Sequence, residues 1–166
     1  MITKFLAIDL ETTGLKPAEG VILEACAIPL SEDLQETGPR FNEVFGYKGV
    51  KAELSEFILK MHGPEGTGLL DARPTSTLGE FEAWLKLHTS TEIHLLGSSV
   101  NFDKNWLEHH FPNVKFSHQV LDTTSLKLLY PIQVAEDNTE HRAEADIEYS
   151  IRLAKAYRRM MKLALG

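Results

Sequence analysis

Apolar residues fall along the chain in short blocks, separated by polar segments that carry glycine or proline. Residues 4–10 (KFLAIDL) form an apolar run of strand length, which predicts a buried strand ending in the turn-like Glu11-Thr12-Thr13-Gly14. Residues 21–30 (VILEACAIPL) predict a second strand, with Pro29 marking an edge position or the strand's end. Residues 42–47 predict a third, completing a meander. The pattern then changes period. Leu54, Phe57, Ile58 and Met61 recur at helical spacing, and residues 63–74 read as a glycine- and proline-bearing loop. Ser76 or Thr77 is placed to cap a helix whose apolar face is Leu78, Phe81, Trp84 and Leu85. A short strand at 93–96 precedes a helix over 103–111 that stops before Pro112. A strand at 120–121 and a helix over 123–130 come next, and residues 143–165 run without glycine or proline as the clearest helix. Three strands followed by alternating helices and strands predict an α/β fold with a mixed sheet.

Composition narrows the class. A length of 166 residues suits one domain spanning 1–166, and 43% hydrophobic with 25% charged residues argues against a largely disordered chain. The one cysteine, Cys26, rules out an internal disulfide framework and a Cys-rich zinc site, which points to a reducing, cytoplasmic setting. No apolar run reaches the roughly 18–20 residues of a membrane span, and the N-terminus lacks a secretory pattern, so no membrane partner is expected. The net charge is −7, yet residues 151–166 carry five basic side chains and no acid. An acidic chain does not grip long nucleic acid by neutralising many phosphates. If it handles nucleic acid it grips few phosphates, or it uses metal ions to offset its own carboxylates. The basic C-terminal run also reads as a solvated helix end that complements the helix dipole.

The candidate chemistry lies in the carboxylates. Asp9 and Glu11 stand two apart at the end of the first strand, so their side chains share one side of the sheet. Asp103 follows the 93–96 strand after a short polar segment, and Asp146 lies in the first turns of the last helix, five residues after His141. Hard divalent cations take oxygen ligands, and two ions close together need carboxylates converging from several elements, the arrangement for hydrolysing a phosphodiester. Each acid alone reads more readily as a solvated surface carboxylate or a helix-first-turn acid. Their order along the chain is the rarer feature.

Three segments carry a family resemblance. FLAIDLETTGL (5–15), GSSVNFD (97–103) and HRAEADI (141–147) resemble the three motifs of the DEDDh 3′→5′ exonucleases. Within that superfamily the chain is similar to oligoribonuclease and to DnaQ-like exonucleases, further likeness lying in Met61-His62-Gly63, residues 121–127, and Ser150-Ile151 with Tyr157-Arg158. The resemblance implies an RNase H-like α/β fold, a mixed five-stranded sheet flanked by helices. It implies that Asp9, Glu11, Asp103 and Asp146 hold two Mg²⁺ or Mn²⁺ ions and that His141 is the general base. The expected activity is removal of 5′-mononucleotides from the 3′ end of short RNA or single-stranded DNA. A proofreading exonuclease acting with a polymerase partner and a non-catalytic nucleic-acid-binding domain are the rival readings. The likeness to oligoribonuclease also implies a homodimer.

Further roles follow from the same resemblance. Leu15 would wedge between terminal bases, its alternative being a core leucine. The backbone of Thr12, Thr13 and Gly14 would approach the 3′ nucleotide, and Ser99 and Thr124 would hold a phosphate through their hydroxyls, or else serve as turn and helix caps. His62 and Phe102 complete the expected substrate contacts. Five residues of helix turn about 140° beyond one full revolution. His141 and Asp146 would therefore point apart if both were helical, so His141 is expected on the loop or at the extreme start of the last helix. Glu24 and Asp122 match recurring family positions but are not read as ligands, and Trp84 and Trp106 are expected in the core.

Overall fold

A computed structural model describes residues 2–89, 93–132, 134 and 141–165. The first apolar run forms β1 (Phe5–Thr12), which ends two residues beyond the hydrophobic pattern. The extension has a cross-strand cause: Glu11 and Thr12 pair with Glu24 and Ile22 of β2 (Ile22–Leu30), with an irregularity between Glu11 and Thr12. β3 (Phe41–Val44) pairs antiparallel with residues 24–27 of β2. It is shorter than expected because Gly46 adopts φ +73° and turns the chain away. Pro29 lies beyond the last β2–β3 pair, Ala27 with Phe41, so its missing N–H costs the sheet no bond.

β4 (His94–Gly97) lies parallel to β1 on its other side, and β5 (Val120–Asp122) lies parallel to β4. The order is β3-β2-β1-β4-β5, a mixed five-stranded sheet with β1 at its centre. Alternation along β1 divides its side chains between two cores. Leu6, Ile8 and Leu10 face α2 (Leu78–His88) and α3 (Asn101–His110), packing with Phe81, Leu85, Trp106 and Leu107. Ala7 faces the opposite side, where Ile147, Ile151 and Ala154 of α5 (Ala143–Leu165) join Cys26 and Ile28. Asp9 and Glu11 share the parity of Ala7, so the strand period that buries β1 also aims both acids at the α5 side.

Local signals set the helix starts. Ser55 caps α1 (Glu56–His62), and Thr77 with Glu80 forms a capping box at α2. Asp122 caps α4 (Thr123–Leu129) by accepting the Thr124 N–H at 2.9 Å. The loop after α1 doubles back on the helix: a Cβ on Gly66 would lie 2.0 Å from the Met61 carbonyl oxygen. Leu69 and Leu70 of that loop pack on Leu23 of β2, which fixes the end of α1 beside the β1 acids. α5 is tied to the other sheet edge as well. Asn42 donates to Glu144 at 2.8 Å and Arg40 pairs with Glu148 at 2.6 Å. Trp106 is fully buried, as expected of a core residue, and Trp84 packs partly buried against the same core.

Candidate active site

β1 delivers Asp9 and Glu11, and the first turns of α5 deliver Asp146. One carboxylate oxygen from each of the three lies within 4.8 Å of the others. Asp103, from the first turn of α3, is buried, and its Oδ1 accepts the Leu10 N–H at 2.9 Å. That bond anchors Asp103 on the strand segment between the two β1 acids.

The electrostatics follow from burial. Asp9 is pushed well above the usual carboxylate range by desolvation, with Asp103 the strongest charge acting on it. Glu11 is pushed up to about 8 by burial and then by Asp146, Glu24 and Asp103, while Arg142 pulls it down. Asp103 is pushed up to about 8 by burial, against the lowering effect of the Leu10 N–H and its own backbone. Three acids converge here, with Asp103 buried close enough to act on Asp9, and there is little compensating charge, since Arg142 is engaged by Glu24. An all-oxygen donor set that resists ionisation when empty fits hard divalent cations.

His141 precedes α5 by two residues, is exposed, and holds a left-handed φ of +43°. It stands outside the helix, as its spacing from Asp146 requires. His62 is buried, with Nε2 3.5 Å from Glu11 Oε2 and Nδ1 3.0 Å from Thr67 Oγ1. Burial holds its pKa below the usual imidazole value. Its ring therefore faces the acid cluster.

Leu15 is 84% exposed, which removes the alternative of a core leucine. Thr12 Oγ1 donates to the Gly14 carbonyl at 2.9 Å, and Thr13 Oγ1 accepts the Val21 N–H at 2.9 Å, so both hydroxyls shape the turn after β1. A Cβ on Gly14 would meet nothing within 4 Å, so the space beside it is open. Ser99, at φ +52°, donates its N–H to Asp122 and Thr124 at 3.0 and 3.1 Å. Ser98 and Thr124 hydroxyls meet at 2.9 Å. The helix-capping role falls to Asp122 rather than to Thr124. Phe102 leans on Trp106 with ring centroids 6.1 Å apart, on the margin of the core.

Two features were not legible as site components. A cavity of about 660 Å³ opens between α1 and the start of α5, lined by Phe57, Lys60, Met61, Thr67, His141 and Arg142. The helical spacing of Phe57 and Met61 signals a helix in the sequence but not the wall of a cavity. The second feature is the pairing of Glu24 with Arg142, which lie 118 positions apart.

The fold, with three clustered carboxylates able to hold a metal ion, places the chain among nucleases. The chain belongs to the exonuclease family (RNase T type), which it matches over residues 6–154. It is 29% identical to the oligoribonuclease of Rhodococcus jostii (strain RHA1), across 96% of this chain and 88% of that protein. It is 30% identical to the oligoribonuclease of Pseudomonas paraeruginosa (strain DSM 24068 / PA7), across 91% and 92% respectively. Among solved structures, Escherichia coli exonuclease I in complex with a 5cy-dA13 oligonucleotide superimposes with a TM-score of 0.66 at 19% identity. That match covers 93% of this chain but only 40% of the exonuclease I chain, and it establishes the RNase H-like exonuclease fold. No helix among the described residues is long and apolar enough to cross a membrane.

Proposed function

We propose that this chain, as one catalytic domain over residues 1–166, removes 5′-mononucleotides from the 3′ end of short RNA or single-stranded DNA. Asp9, Glu11, Asp103 and Asp146 would hold two Mg²⁺ or Mn²⁺ ions. The observation that carries this reading is the convergence of carboxylates from β1 and α5 within 4.8 Å, with the exposed His141 heading α5. Bound divalent ions would neutralise the acids, lower the pKa of the attacking water and stabilise the leaving oxygen. His141 accepts the proton of that water as the phosphorus–O3′ bond breaks. Leu15, projecting from the mouth, packs against the terminal bases, and the backbone of Thr12, Thr13 and Gly14 lies along the 3′ nucleotide. Ser99 and Thr124 hydroxyls hold the adjoining phosphate, and Phe102 supports that wall. His62 borders the site from beneath, through Glu11.

Similarity to the oligoribonucleases supports a small substrate, and so does the net charge of −7, which disfavours a long phosphate track. The exposed run Leu128, Leu129 and Tyr130 at the end of α4 supports a homodimer, which sedimentation would detect. The single cysteine, buried on β2, suits a reducing compartment.

The experiment is a product time course on 5′-labelled RNA and DNA of two to about twenty nucleotides, lengths that bracket a site gripping few phosphates. It is run in Mn²⁺, Mg²⁺ and EDTA. Metal-dependent shortening from the 3′ end, fastest on the shortest strands, is the expected result. Weak cleavage that an added polymerase stimulates would turn the assignment to proofreading. No cleavage by folded, metal-loaded protein would leave a binding domain.

A further inference from the structure

Glu24 is an acid beside an acid cluster that is not free to join it. It lies directly across from Glu11 in the β1–β2 register and is only 2% exposed. A carboxylate so buried persists only when its oxygens are met by donors. Arg142 Nε donates to both oxygens at 3.0 Å, Arg142 Nη2 adds a further bond, and the Ala143 N–H donates to Oε2 at 3.1 Å.

All of these donors come from the two residues that follow His141. Ala143 is the first residue of α5, so a side chain of β2 caps the helix from outside and places negative charge at its N-terminus. The backbone of Arg142 carries the link onward: its carbonyl accepts the Asp146 N–H at 3.1 Å. On the other side, His141 occupies a left-handed conformation that a side chain with a Cβ keeps only when its surroundings hold it there. A short path thus runs from β2 through Arg142, by hydrogen bonds to Asp146 and by the peptide link to His141.

We infer that Glu24 and Arg142 form a clamp that fixes His141 and Asp146 over the β1 carboxylates, making both of them positioning residues for hydrolysis. This rests on the exonuclease reading of the acid site given above. The clamp is distinct from what holds α5 in the fold, because Ile147, Ile151 and Ala154 are buried on the sheet and Asn42 and Arg40 engage Glu144 and Glu148. Loss of the clamp should leave a folded protein with a misaligned site.

Arg142→Met separates positioning from charge. Removing a cation from an acidic site would by Coulomb's law alone tighten Mn²⁺ binding. A positioning role gives the opposite sign. Changing groups that orient metal ligands typically costs about 10–100-fold in affinity or activity. The experiment measures Mn²⁺ affinity by calorimetry, kcat and KM on a labelled RNA dinucleotide, and folding by circular dichroism. The proteins are the wild type, Arg142→Met, Arg142→Lys and Glu24→Gln. Expected are weaker Mn²⁺ binding and a kcat roughly 10–100-fold lower, with KM little changed, in Arg142→Met and Glu24→Gln. Arg142→Lys keeps the charge but not the planar fork, and should fail to restore kcat.

Wild-type kcat in Arg142→Lys would overturn the clamp in favour of simple charge compensation. A raised KM at unchanged kcat would overturn it by making Arg142 a substrate contact. A lower melting temperature with kcat and Mn²⁺ affinity intact would reduce the pair to a fold element. If the wild type cleaves no oligonucleotide, the functional reading fails separately. The Mn²⁺ titration still judges the clamp: tighter or equal binding in Arg142→Met overturns it. If Glu24→Gln does not fold, the two Arg142 variants carry the test.

Discussion

Asp9 shows how one side chain can oppose the fold and serve the site at once. It sits on the central strand beside Glu11 and Asp146, and both burial and neighbouring acids disfavour its charge. Replacing it with asparagine keeps the shape and removes the charge. Asp9→Asn should lower activity by more than the roughly 100-fold that outer-shell changes cost. Its metal-free melting temperature at pH 8 should not fall; a fall would mean that Asp9 supports the fold through contacts other than charge. His141 has the reverse character, exposed and outside the helix. His141→Ala should cost about 10²–10⁴-fold in kcat, the usual contribution of a positioned base. Mn²⁺ affinity by calorimetry should stay at the wild-type value. Unchanged kcat would remove it from the role of base. At this scale Asp9, Glu11, Asp103 and Asp146 were legible because short local patterns carry them. The burial of His62 against Glu11 was not, since a loop that folds back on α1 creates it.

Between elements, close packing sets what each can tolerate. Gly97 ends β4 where β4 meets β1, and a Cβ there would lie 2.7 Å from the Ile8 carbonyl oxygen. Gly97→Ala should therefore push β4 away from β1 and displace the segment that leads to Asp103. A destabilisation of about 1–3 kcal/mol is expected from chemical denaturation, together with reduced activity. Thr77→Ala provides the contrast. It removes the capping box of α2, on the far side of the sheet from the α5 core, and should cost about 1 kcal/mol with kcat unchanged. A cap of α2 at Ser76 or Thr77 was readable, because a cap acts over three residues; the structure gives it to Thr77, with Glu80 closing the box. The true length of β1 was not, because its last two residues are held by partners on β2.

Across the whole molecule, the acid site makes stability depend on pH and metal. Glu11 and Asp103, with values of about 8, and Asp9, also raised, hold protons in the folded state that the unfolded chain releases near pH 4. Stability from these groups is fully present below the unfolded values and is lost as pH rises through the folded ones. His62 has the opposite sign, its depressed pKa costing stability as pH falls below the ordinary histidine value of about 6.5. The clean window is therefore roughly pH 7.5 to 8.5, where His62 is neutral in both states. In EDTA the melting temperature should fall across that window. Mn²⁺ should raise it most at the alkaline end, since a ligand that binds only the folded form stabilises it. A flat metal-free profile measured by scanning calorimetry would contradict the convergence of acids described here.

The sequence by itself determined most of the elements, the α/β class and the acids of the candidate site. Strand and helix periods act over a few residues, and alternation along β1 already places Asp9 and Glu11 on one side. What only the tertiary structure decided was how distant segments meet. Glu24 on β2 carries no local mark of its role, and Arg142 lies 118 positions away with no pattern that points back to it. The cavity beside His141 likewise joins Phe57 and Lys60 of α1 to His141 and Arg142, residues far apart in the chain. Register and packing between remote segments are properties of the whole sheet, and no short stretch of chain encodes them.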